Sequence, residues 1–216
     1  MSWALVKNGT VERIINTPTN ITVNGVTHPR SIFSNWSADQ LAAIGVLPYS
    51  EEKVDNRYYW SGNVTYSVGP TAVTGSYNGT GRDVDSLKDG MLAEVKAKAA
   101  AKLALTDWMV IRAAEGGTAV SEEVSTYRAA VRSHSNDLET AINALSDLAA
   151  VIAFDNKAFV EVRKVKHDTE NEDGTTTTTY GPETEESNRT IRGVDAGWPT
   201  DPLAEVDPAF ASLTAA

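Results

Sequence analysis

The 216-residue chain contains no cysteine. That excludes disulfides, thiolate nucleophiles and cysteine-ligated metals. Histidine is also scarce: His28, His134 and His167 lie in three separate segments, none at the His-x-His or His-x-x-x-His spacing of a zinc site. Positive charge is in deficit, with 19 Lys and Arg against 29 Asp and Glu and a formal net charge of −10. Binding nucleic acid or an anionic membrane requires a clustered basic patch, and only Arg163-Lys164-Val165-Lys166 approaches one. Neither partner is expected. No run nears the roughly twenty apolar residues that span a bilayer. The opening stretch from Met1 turns polar after Val6, too soon for the apolar core of a signal peptide. The expectation is a soluble chain made in a cytosol.

Catalytic patterns are missing as well. There is no Gly-x-Ser-x-Gly elbow, and Ser133-His134-Ser135 places neighbouring side chains on different sides of a helix. The stretch Gly75 to Gly81 lacks the Gly-Lys-Ser/Thr ending of a phosphate loop. Carboxylate pairs carry no signal when 29 acidic residues allow so many combinations. The residues point to no enzyme, no cofactor and no bound metal.

What is present reads as an α+β chain in three segments. Hydrophobic residues make up 41% and charged residues 22%, enough for a real core. Residues 1–81 read as β-rich, with Asn8-Gly9 and Asn24-Gly25 as hairpin turns between short apolar runs. Within them, Ser37 to Gly45 reads as a short helix capped by Ser37, and Gly75 to Gly81 as a linker by composition. Residues 82–154 read as an antiparallel helical hairpin broken at Gly116-Gly117, its first helix capped by Asp83 or Asp85 and its second opened by Thr118 or Ser121. Residues 155–216 read as a β-hairpin followed by an extended, proline-bearing arm that includes Trp198, Pro199, Pro202 and Pro208.

The second helix carries the clearest pattern. Val124, Val131, Leu138, Leu145 and Ile152 recur every seven residues, and Val120, Tyr127, Ala141 and Leu148 form a second series with His134 as its polar member. Such a seam packs on another helix, because a lone helix cannot bury it. Val124, Tyr127, Val131, Leu138, Leu145 and Ile152 are therefore candidate interface residues, joined by Trp198 and Pro199 of the arm. Trp108, one turn from Ile111 and Arg112, is expected to plug the helical hairpin.

Two further features are ambiguous from sequence. Trp3, Trp36, Trp60, Tyr58 and Tyr59 either form the core of the β-module or stack on sugars. The stretch from Asp168 to Glu186 holds seven carboxylates and no Lys or Arg, which reads as a solvated acidic tip or, less simply, an ion site. Six Asn-x-Ser/Thr triplets, at Asn8, Asn20, Asn35, Asn63, Asn78 and Asn188, read as turn and exposed-strand composition rather than glycan acceptors.

Two parts of the chain resemble proteins encoded beside tail-fibre genes in bacteriophages, marine ones especially. Trp3-Ala-Leu-Val, Pro29-Arg-Ser-Ile-Phe33 and Leu41-Ala-Ala-Ile-Gly45-Val46 resemble an N-terminal module of such proteins. Lys102-Leu-Ala-Leu-Thr-Asp-Trp108 with Tyr127-Arg128-Ala-Ala-Val131-Arg132 resembles the Ser/Thr-Asp-Trp … Tyr-Arg-x-x-Leu/Val-Arg pattern of phage tail-fibre assembly proteins. The likeness covers about two-thirds of the chain. It implies a tail-associated structural or adaptor protein of the virion, made in the host cytoplasm, partnered by other tail or fibre proteins and forming homo-oligomers. A fibre-assembly chaperone absent from the finished particle is the alternative, and a glycan-binding receptor module is a third reading. Asp107, Trp108, Arg128 and Arg132 are the motif residues, with Asp107 placed to pair with either arginine. The departure from the pattern is the Thr-rich hairpin inserted before Trp198-Pro199, which favours a protein that stays in the particle.

Overall fold

Asn8 and Gly9 both take positive φ, 51° and 76°, and turn the chain from β1 (Ser2–Lys7) into β2 (Thr10–Ile15). Asn24 and Gly25, at 51° and 81°, do the same between β3 (Ile21–Val23) and β4 (Val26–His28). Asn-Gly tolerates the left-handed pair that matches the twist of a two-residue hairpin. The computed structural model describes residues 1–204, 207 and 209–215. It is α+β and divides into two compact units, Met1–Arg82 and Asp83–Ala216. The helical pair and the C-terminal hairpin, read from sequence as separate segments, share the second unit.

The first unit continues through α1 (Ile32–Asn35), α2 (Ala38–Ala43), β5 (Val46–Glu52), β6 (Tyr59–Val68) and β7 (Val73–Gly81). Its main sheet runs β2-β1-β5-β7-β6, with β5 and β7 parallel and every other pair antiparallel. Alternation along β1 splits the core between the two faces. Trp3 and Leu5 join Ile15, Ile21, Ile32, Leu41 and Val46, while Ala4 joins Leu47, Tyr49 and Val73. Ser37 caps α2 in a reciprocal box with Gln40.

Gly75 to Gly81 is not a linker; it is most of β7. The glycines are there for a packing reason that composition hides. A Cβ on Gly75 would strike the ring of Tyr49, and one on Gly79 would crowd Tyr59 at 3.2 Å. Glycine lets an aromatic ring lie against the strand backbone.

The second unit opens with α3 (Val84–Ala114), capped by Asp83, whose carboxylate accepts from the Ser86 N–H at 2.8 Å. Then come α4 (Glu122–Asn143), capped by Ser121, and α5 (Leu148–Asp155), capped by Asp147. The strands β8 (Lys157–Glu170), β9 (Thr176–Ile191) and β10 (Phe210–Ala215) form an antiparallel sheet in the order β10-β8-β9. A short 3-10 turn at Gly193–Asp195 follows β9.

Here the seven-residue reading needs correcting. The buried stripe of α4 is Val124, Tyr127, Val131, Ser135, Leu138 and Ile142, five steps across 18 residues, a period of 3.6. A straight helix drifts away from a strict heptad, so Ser135 and Ile142 take the inward positions assigned to His134 and Ala141. The helix stops at Asn143. Leu145 lies half-buried in the break that follows and Ile152 half-buried on α5, so neither extends the seam. Val120 precedes the helix.

Part of the segment read as an extended arm is a strand of the sheet, β10. Residues from Phe210 pair with β8, Thr214 opposite Val160 and Leu213 opposite Glu161. Pro208, counted in the arm from sequence, lies outside the described residues. Among the described residues, no helix is long and apolar enough to cross a membrane.

Candidate functional site

The Thr-Asp-Trp and Tyr-Arg motifs meet between α3 and α4. Arg128 Nη1 donates to the Leu103 carbonyl at 2.8 Å and to Thr106 Oγ1 at 2.7 Å. Its Nη2 pairs with Asp107 Oδ1 at 2.8 Å. The planar guanidinium serves three acceptors on one turn of α3, a geometry no ammonium reproduces. Thr106 is fully buried and donates to the Leu103 carbonyl at 3.1 Å. Beside it, the buried Tyr127 hydroxyl donates to the Lys102 carbonyl at 3.4 Å. The motif is thus a clasp between helices. Arg132, on the same face one turn on, is exposed and takes no part in it. Trp108 does not plug the hairpin: it is 52% exposed, with the Arg112 guanidinium 4.9 Å from its ring. In α3, Thr106 takes the inward position and turns Trp108 away from α4.

Trp198 latches the segment after β9 onto the same helices. Its indole N–H donates to the Val194 carbonyl at 2.8 Å, and its ring packs with Ala99, Leu103, Tyr127 and Val131. His134 meets that ring edge-on at 4.9 Å, and its Nε2 lies 2.8 Å from the Ala196 carbonyl. Pro199 is half-buried beside a shallow groove lined by Glu123, Tyr127, Ala130 and Pro202. Val124, Tyr127, Val131 and Leu138 are therefore closed inside the chain rather than offered to another protein. The reason is simple: α3 and the Trp198 segment reach them first.

An ionic hub that sequence reasoning missed ties α3, α5 and the 3-10 turn together. Arg192 donates through Nε to Asp155 at 2.7 Å and through Nη1 to Glu94 at 2.8 Å, and Lys98 bridges Glu94 at 2.6 Å and Asp195 at 2.7 Å. Asp155 is 2% exposed. Burial works against the charge on Glu94, but hydrogen bonds from Lys98 and Arg192 outweigh it and hold the carboxyl below its usual range. Glu94 and Lys98, four apart on one helix, were the one local sign of it. In the hairpin, the buried Glu161 carboxylate is shared by Arg163 and Arg189, each at 3.0 Å.

The aromatic residues of the first unit do not gather into a stacking platform. Trp3 and Tyr58 are buried, and Trp36 packs on the core with His28 against its edge at 5.4 Å. Trp60 is 59% exposed but carries the Arg82 guanidinium 3.8 Å from its ring. The acidic stretch spans both arms of the β8–β9 ribbon, with Asp168 accepting from Lys166 and from the Thr178 hydroxyl; those bonds keep its carboxyl below the usual range. Among the described residues, no group of three or more His, Asp or Glu is placed to hold a metal ion. No family model, curated protein or solved structure matches the chain.

Proposed function

We propose that this chain is a bacteriophage tail-associated structural or adaptor protein, a component of the virion that works through protein–protein contact. The reading rests on the likeness to phage tail-fibre assembly proteins in the Thr106-Asp107-Trp108 and Tyr127-Arg128 motifs. One structural observation carries the choice of a resident component over a transient chaperone: the long β8–β9 ribbon. Its strands span 14 and 16 residues, and beyond Val165 nearly every side chain is exposed on both faces. In the sheet order β10-β8-β9, the outer edge of β9 has no strand beside it among the described residues. An open edge of that length is a template for another chain, and its run of Thr and Glu keeps it from unselective pairing. The partner is another tail or fibre protein.

Peptide mass spectrometry of purified particles of the encoding phage tests this. Stoichiometric peptides from the chain are the expected result; their absence from particles that assemble normally overturns the reading in favour of a chaperone. A variant with residues 166–180 replaced by a tight turn is expected to fold and yet fail to enter the particle.

A further inference from the structure

The helix α3 is apolar on two opposite sides, and only one of them is covered by its own chain. Met91, Val95, Ala99 and Thr106 face inward. On the other side Gly90, Ala93, Ala97, Ala100, Ala101, Ala104, Trp108 and Ile111 fall in one stripe, and every one of them is exposed. Trp108 and Ile111 are 52% and 57% exposed, and Leu105 beside them 51%. An apolar stripe on a helix gains stability when another surface covers it.

We infer that this face binds the same face of a second copy, antiparallel, about a two-fold axis between Ala100 and Ala101. The stripe is self-complementary in spacing. Reversed about that point, Ala104 falls on Ala97, Trp108 on Ala93 and Ile111 on Gly90, so each bulky residue meets a small one. Alanine in the centre allows close approach of the two helices. Gly90 supports the same arrangement independently. Glycine inside a helix costs about 1 kcal/mol against alanine, yet a Cβ at Gly90 would meet nothing within 4 Å. Its own chain has no use for the missing side chain; the partner's Ile111 does. Charge agrees too. Lys96 and Asp107 lie on one flank of the stripe, and reversal brings each to within two residues along the helix of its opposite in the other copy. Both keep exposure for this, 65% and 52%, despite in-chain contacts to Glu139 and Arg128. The pairing stands whether or not the protein resides in a virion.

The test uses the full chain in solution. Sedimentation equilibrium should give twice the 23.2 kDa of one chain, and Ala100→Glu should return the single-chain mass with unchanged helical circular dichroism. The absence of cysteine makes direction readable. Ala100→Cys alone should join two copies through a short bis-maleimide. Ile111→Cys alone should not, because its counterpart would be about 30 Å away along the paired helices. Mixed Gly90→Cys and Ile111→Cys chains should cross-link to each other. A wild-type monomer, an Ala100→Glu chain that keeps the doubled mass, or efficient self-linking of Ile111→Cys would each overturn the inference.

Discussion

Arg128 Nη1 lies 2.7 Å from the hydroxyl of Thr106, a residue with no solvent exposure in the middle of α3. The contact converts a sequence motif into a mechanical part. The hydroxyl, itself a donor to the Leu103 carbonyl, accepts from one guanidinium that also reaches that carbonyl and pairs with Asp107. Arg128→Lys should therefore cost about 2 kcal/mol, the scale of a buried acceptor left unsatisfied. Urea unfolding of the variant checks it; an unchanged midpoint would show that the clasp is dispensable.

Removing Arg192 strips the buried Asp155 carboxylate of its guanidinium. Breaking a buried pair from one side costs about 3–5 kcal/mol when the remaining charge is left uncompensated; Asp155 keeps a further contact and Arg192 is partly exposed, which places this loss below that range. Arg192→Met should lower the thermal midpoint more than Arg163→Met, whose side chain is 45% exposed on the ribbon.

The same hub makes stability depend on acid. The carboxyl of Glu94 is held below its ordinary value of 4.5, so the folded chain binds that proton less readily than the unfolded one. Its contribution is complete above about pH 4.5 and is lost as the pH falls through the lower folded value. The gap in thermal midpoint between the wild type and Glu94→Gln should be constant near neutrality and shrink below pH 4.5. A gap independent of pH would contradict the assignment.

Gly45 ends α2 at a φ of +77°, where a Cβ would strike the carbonyl oxygen of Val6. The same residue accepts the Val6 N–H at 2.7 Å. Gly45→Ala should cost more than 1 kcal/mol, roughly the penalty of an incompatible backbone plus the clash. Gly9→Ala, with a similar φ of +76° but open space around it, should cost less. Paired denaturation curves decide the ordering.

Sequence alone determined what short-range forces encode. Asn8-Gly9 and Asn24-Gly25 turn because two adjacent residues tolerate positive φ; Ser37 and Asp83 start helices because their side chains reach an N–H three residues on. Val124, Tyr127, Val131 and Leu138 were legible because helical periodicity repeats within a turn or two. Tertiary structure decided the rest. The ring of Tyr49 over Gly75 made a strand of an apparent linker. Arg192 found Glu94 across a separation of 98 residues, and residues from Phe210 found β8. It also decided which side of α3 stays open, turning Trp108 outward and closing the α4 seam that sequence had offered to a partner. Local signals survive in sequence because the interacting groups are neighbours along the chain. Which distant surfaces cover one another depends on the path of the backbone, and that path exists only once the chain has folded.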